Sequence, residues 1–150
     1  MINTYCVTQA VRCFSWTCQL IASLVVQEMH DTPELVYVAA IESAFVETAQ
    51  SHAGAYGLFQ IMDITEKHMN SLHHMKLDRK KLVDNMVIAK LYWAWLTKRQ
   101  PVGADYRWRL VAYNWGYGRA MRWHNNPMGL PAETSRYIDR YNKLQKQCGE

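Results

Sequence analysis

A chain of 150 residues, 49% hydrophobic and 20% charged, suits one domain with a real core, and that composition excludes a disordered chain. No apolar run reaches the ~18 residues of a membrane-spanning helix, and the nearest candidate, QLIASLVV, falls well short. The formal charge of +4 suits an anionic partner such as wall polymer, nucleic acid or a membrane surface, and is too small to choose among them.

From Thr4 to Met29, apolar residues recur at mixed three- and four-residue spacing, which predicts one or two helices. As a secretory leader this segment fails, because it has no basic first region and Arg12 interrupts its apolar stretch. Cys6, Cys13, Cys18 and Cys148 leave two readings. One is a bridge from this segment to Cys148. The preferred one is free, partly buried thiols, since Cys13 and Cys18 at i, i+5 point in different directions on a helix. None has the paired spacing of a zinc site.

DTPELVYVAAIESAF carries a helix start, with Thr32 to cap, Pro33 at the first position and Glu34 complementing the dipole. Leu35, Val38, Ile41 and Phe45 recur on one face, and Glu42 sits beside that face in the last turns. SHAGAYG reads as a turn in which Gly54 and Gly57 supply unusual backbone geometry. A short β-hairpin near residues 50–60 is the only strand structure expected. Asp63 reads as a helix cap. DNMVIAKLYWAWLTKR is a strong helix capped by Asp84, with a stripe of Ile88, Leu91, Tyr92 and Trp95. DYRWRLVAYNWGYG reads as a helix broken at Gly116 and Gly118, and GRAMRWHN restarts it. LPAETSRYIDRYNKLQKQ is the last helix, with Tyr137, Tyr141 and Leu144 on one face. The class is mainly α.

The residue with chemistry in it is Glu42. A carboxyl group on an apolar helix face resists ionising, and one raised to ~6 donates protons at neutral pH. The plain alternative is a half-exposed Glu at a helix end. The histidines include no HExxH, and the pair in SLHHMK reads as solvated loop. There is no G-x-S-x-G elbow and no phosphate-binding glycine loop. The basic cluster KLDRKK has no nucleic-acid motif beside it and reads as solvent-facing. Six Trp and nine Tyr offer flat faces on which a sugar ring can lie, although many must fill the core.

The order of motifs goes further. AAIESAFVETAQSHAGAYGLFQIM resembles the core signature of the lytic transglycosylases of the soluble, lysozyme-like superfamily, an E-S pair followed by A-x-S-x-A-G-A-x-G-L-M-Q-I-M. Glu42-Ser43, Ala49, Ser51, Ala53-Gly54-Ala55, Gly57-Leu58 and Gln60-Ile61-Met62 match without a gap. DNMVIAKLYWAWL, VAYNWGYGRAMRW and LPAETSRYIDRY follow in the family's order and resemble its helix with a structural Asn, its A-Y-N-A-G-x-G and its L-P-x-E-T-x-x-Y-V. The resemblance spans about residues 20 to 142. Departures are Phe59 for Met, Ala44 for Gly, Glu47 for Pro and Trp115 for Ala; Trp115 and the bulky Tyr117 touch the subsite preference more than the reaction.

The resemblance implies a lysozyme-like (goose-type lysozyme or SLT) single domain, with residues 1–18 a helical extension and 19–150 the catalytic domain. It implies cleavage of the β-1,4 bond from N-acetylmuramic acid to N-acetylglucosamine in peptidoglycan, with Glu42 as acid and then base, 1,6-anhydro ends as product and no cofactor or metal. Tyr137 would steady Glu42, with Ser43 in support. Gln60, Tyr113, Asn114 and Tyr56 would meet the acetamido sugars, and Phe59 would pack beneath a ring. Asn85, Gly57, Gly116 and Gly118 would be structural. The rivals are a goose-type muramidase, in which Asp63 or Glu47 activates water, and a non-catalytic wall-binding protein. The expected setting is the periplasmic wall, reached from a phage as lysis enzyme or virion component, or through a secretion or conjugation apparatus, with no nucleic-acid partner.

Overall fold

The computed structural model describes residues 1–125 and 129–149, and their regular structure is helical. The hairpin expected near residues 50–60 reduces to isolated bridges, Gln50 with Tyr56 and Tyr56 with Ile61.

The first helical stretch is two helices, α1 (Thr4–Ala10) and α2 (Trp16–Glu28), each begun by a polar side chain: Asn3 accepts from the Cys6 amide and Ser15 from the Cys18 amide. Between them the chain turns through Arg12, at φ 58°. That turn overturns the reading of the cysteines. Cys13 and Cys18 do not share a helix, their Cα atoms lie 5.5 Å apart, and they are bonded. Cys6 is bonded to Cys148, so the expectation of free thiols is wrong. α1 packs on the last helix and buries Val7 completely.

α3 (Glu34–Ser43) is buried on nearly every side from Leu35 to Ile41, as a helix at the centre of a core must be. Thr32 does not cap it; Pro33 holds the cap position and no side-chain bond is made there. The helix ends at Ala44 and Phe45, with φ of 50° and 62°. That left-handed conformation suits glycine best, which explains why the family pattern has Gly at the place of Ala44.

α4 (Asp63–His73) and α5 (Leu82–Thr97) pack together. Neither carboxylate expected to cap them does so. Asp63 is already helical and pairs with Lys67 at 2.7 Å. Asp84 lies inside the first turn of α5 and accepts from the Asp78 amide. α5 sends Ile88, Ala89, Trp93 and Leu96 into the core.

After a 3₁₀ turn at Val102–Ala104 come α6 (Tyr106–Trp115), capped by Asp105, and α7 (Tyr117–Asn125). The break falls at Gly116 alone, whose φ of 98° needs glycine. Gly118 lies within α7, where an added Cβ would meet open space, so the structural role expected of it has no basis in packing. α8 (Ala132–Cys148) buries Thr134, Tyr137, Ile138, Tyr141 and Leu144 against α3 and α6. Glu42, one residue from the end of α3, therefore looks across at α8.

Candidate active site

One wall of the site is the segment from Ala44 to Met62, which has almost no regular structure and must be held by side chains. Asn85 of α5 does most of this. Its Oδ1 accepts from the Phe59 amide at 3.0 Å, while its Nδ2 donates to Tyr56 O at 2.9 Å and to Arg79 O at 2.8 Å. At 1% exposure its amide is spent on these backbone bonds and does not reach the groove. Gly57 lies against Asn85: φ is 84°, and an added Cβ would overlap the Asn85 amide. Arg79 donates to Gly54 O and Ile61 O. Gln60 Nε2 donates to Ala49 O and Gly57 O, 3.0 Å each. Both amide protons are thus engaged, and Oε1 is left as an acceptor. The Tyr113 hydroxyl of α6 donates to Phe59 O at 2.8 Å.

Three hollows that share lining residues make up one groove past Glu42. The middle one, about 450 Å³, is lined by Glu42, Gln60, Tyr113, Asn114 and Glu133. A lobe of about 370 Å³ on one side holds Glu42, Asn114, Glu133, Arg136, Tyr137 and Arg140. An aromatic arm of about 530 Å³ on the other is walled by Tyr92, Trp95, Trp115 and Tyr117 together with Gln60 and Asn114. A separate hollow of about 580 Å³ beside Met29, Tyr37 and Tyr141 includes none of these groups.

Burial raises the Glu42 carboxyl to about 7; the Tyr137 hydroxyl and the charge of Arg140 pull it back, and Glu133 adds a smaller push upward. The hydroxyls of Tyr113 and Tyr137 are pushed far up, chiefly by burial and then by the charge of Glu42. The Tyr137 hydroxyl faces Glu42 closely enough to favour its ionised form, yet does not meet full hydrogen-bond geometry with any group. The two observations describe a close but poorly aligned contact.

The structure brings Glu42, Tyr137, Gln60, Tyr113 and Asn114 together. It does not bring the others to the groove. Phe59 has 0% exposure, so its ring is core and no sugar can lie on it. The Tyr56 ring lies 6.0 Å from the Lys80 ammonium and is not among the groove's lining residues. Ser43 is buried, and its hydroxyl donates back to Ala39 O at 3.1 Å, a bond within its own helix. Asp63, paired with Lys67, and the exposed Glu47 stand outside the lobes that hold Glu42.

Sequence reasoning missed Glu133, Arg136 and Arg140. They share a helical face with Tyr137, so the spacing in ETSRYIDR carries the signal. It also read Tyr92 and Trp95 as core stripe, whereas both help to wall the aromatic arm. Among the described residues no group of three or more His, Cys, Asp or Glu could hold a metal ion.

A family model described as the transglycosylase SLT domain matches residues 19–135. The match contains Glu42, the pinned wall and Asn114, and ends two residues before Tyr137. Comparison with curated proteins returns no match.

Proposed function

Because the chain belongs to the transglycosylase SLT domain family, the lysozyme-like lytic transglycosylases that act on peptidoglycan, we propose that it cleaves the β-1,4 bond following N-acetylmuramic acid with Glu42 as its single acid and base. The observation that carries this reading is the position of a carboxyl raised to about 7 where two lobes of the groove meet. At neutral pH a large fraction of Glu42 is protonated. It first gives that proton to the glycosidic oxygen as the bond breaks. The carboxylate so formed then takes a proton from the 6-hydroxyl of the muramic acid, whose oxygen closes on the anomeric carbon. The product is a 1,6-anhydro end, no water is consumed, and Glu42 is again protonated.

Tyr137 supports this cycle by favouring the ionised form that must exist midway. Gln60 Oε1 and the Asn114 amide are the groups that would meet acetamido substituents, and the aromatic arm offers faces to sugar rings. Two disulfides suit work at a wall in an oxidising compartment.

A second reading has its own observation. Glu133 lines both lobes that hold Glu42, so the activation of water, expected of Asp63 or Glu47, falls instead to Glu133 in a hydrolase. Mass spectrometry of digested peptidoglycan decides between them. Anhydro ends support the transglycosylase; reducing ends that vanish in Glu133→Gln support the hydrolase; intact peptidoglycan from folded protein defeats both.

A further inference from the structure

Glu133, Arg136, Tyr137 and Arg140 stand at i, i+3, i+4 and i+7 on α8, and one face of the helix carries all of them. That face lines the lobe of about 370 Å³ in which Glu42 and Asn114 also stand. Arg136 and Arg140 are exposed, and neither makes an ion pair or hydrogen bond among the described residues. The charge balance of the lobe is two guanidiniums against the carboxylate of Glu133, with Glu42 proton-bearing through much of the range below about 7. Arg140 is near enough to Glu42 to be felt by it. A lobe with surplus positive charge and free planar donors matches a carboxylate, which guanidinium groups bind in forked geometry.

We propose that this lobe is a carboxylate-binding subsite, in which Arg136 and Arg140 hold the acidic substituent of the glycan beside the bond that Glu42 cleaves. The proposal rests on the groove being the glycan groove. Hydroxyl and acetamido groups of both sugars are neutral and need no cation. The carboxylates of such a strand come from the lactyl ether of the muramic acid or from a peptide attached to it. Either source puts the negative charge on the muramic acid, the sugar whose anomeric carbon is cut, and never on its neighbour. The subsite therefore sets which sugar occupies the position beside Glu42, and thereby which of the two alternating bonds is broken.

The test is calorimetry on the Glu42→Gln protein, which holds ligand without turning it over. The ligands are a tetrasaccharide of alternating sugars with free lactyl carboxylates, its methyl ester, its peptide-bearing form and chitotetraose. The free acid should bind about tenfold more tightly than the ester, the sum expected of two exposed charge pairs. Adding Arg136→Gln and Arg140→Gln should erase that difference and leave chitotetraose affinity unchanged, with circular dichroism reporting the fold. If the peptide-bearing form keeps the advantage, the stem supplies the carboxylate; if only the free acid has it, the lactyl group does. Equal binding of the acid, the ester and the peptide-bearing form, an unchanged preference in the double variant, or no binding of any ligand overturns the subsite. Release of muropeptides by the wild-type chain is scored separately. Turnover without any carboxylate preference sinks the subsite alone, and absent turnover sinks the proposed function.

Discussion

Burial of the Glu42 carboxyl costs stability, and the sign follows from its raised pKa. The folded chain holds a proton up to about 7 that the unfolded chain releases near 4.5. Stability therefore falls as pH rises through that window and stays lower above it. Each pH unit is worth ~1.4 kcal/mol, so the ionised group destabilises the fold by roughly 3 kcal/mol. Glu42→Gln should abolish turnover, by ~10⁴-fold or more because both proton transfers are lost. It should also unfold at the same temperature at pH 5 and pH 8, where the wild type loses stability. Thermal unfolding at both pH values, beside muropeptide release, checks this; a folded variant that still digests peptidoglycan would falsify the catalytic assignment. Tyr137→Phe tests the neighbouring contact. Tyr137 favours the ionised carboxyl, so its hydroxyl's removal should slow turnover roughly tenfold and move the alkaline fall in rate to higher pH. A slowed rate with an unmoved pH profile would assign Tyr137 to packing only. At this scale an apolar helix face alone left Glu42 open to the plain reading of a half-exposed helix end, and the order of the family motifs around it singled it out. The sequence was silent on side-chain direction, which is why Ser43, a family match, and Phe59, which stands where the family has Met, were both expected at the sugar and yet are turned into the core.

The segment from Ala44 to Met62 is an element without hydrogen-bonded periodicity, so its geometry rests on Asn85, Gly57, Gln60 and Arg79. Gly57→Ala sets a Cβ against the Asn85 amide at a φ of 84°, a strain of ~1–2 kcal/mol before the clash is counted. Pushing Asn85 aside also loosens its bonds to Phe59, Tyr56 and Arg79, at ~1 kcal/mol each. The expected loss is about 3–5 kcal/mol in urea unfolding, with any folded fraction showing weaker glycan binding because Gln60 moves with the segment. A loss below ~1 kcal/mol would show that the segment does not depend on this contact. Helix existence was legible from apolar spacing in most of the chain, and helix starts were less so. Thr32, Asp63 and Asp84 each had the right chemistry to cap, but Pro33, Lys67 and Asp78 claimed the neighbouring position or the side chain. Caps depend on where the first helical residue falls, and side-chain competition a few residues away moves that point.

Across the whole molecule the cysteines were only half read: a bridge from the N-terminal segment to Cys148 was one of two alternatives and not the preferred one, and Cys13–Cys18 was not foreseen, because spacing along a chain says nothing of how it folds back. Cys6–Cys148 joins residues 142 apart, and the Asn3 amide donates to Cys148 O at 2.9 Å beside it. α1 is thereby fastened to the end of α8, the helix that brings Tyr137, Arg136 and Arg140 to the groove. Cys13–Cys18 closes a loop of only 5 residues. A crosslink restricts the unfolded chain in proportion to the logarithm of the loop it closes, which gives roughly 5 kcal/mol for the long bridge and roughly 2 kcal/mol for the short one. Paired Cys6→Ala and Cys148→Ala replacements should lower unfolding free energy by more than paired Cys13→Ala and Cys18→Ala, by about 3 kcal/mol at most. Every groove-lining residue lies at position 41 or beyond, so a molecule that stays folded without either bridge should keep its rate per folded molecule. Urea unfolding of the two double variants, with and without reductant on the parent, measures the first expectation, and muropeptide release normalised to folded protein measures the second. An equal or reversed order of destabilisation would mean that the unfolded chain is already ordered near its termini. A folded Cys6–Cys148 variant without activity would mean that the tether positions α8 for catalysis as well as holding it in place.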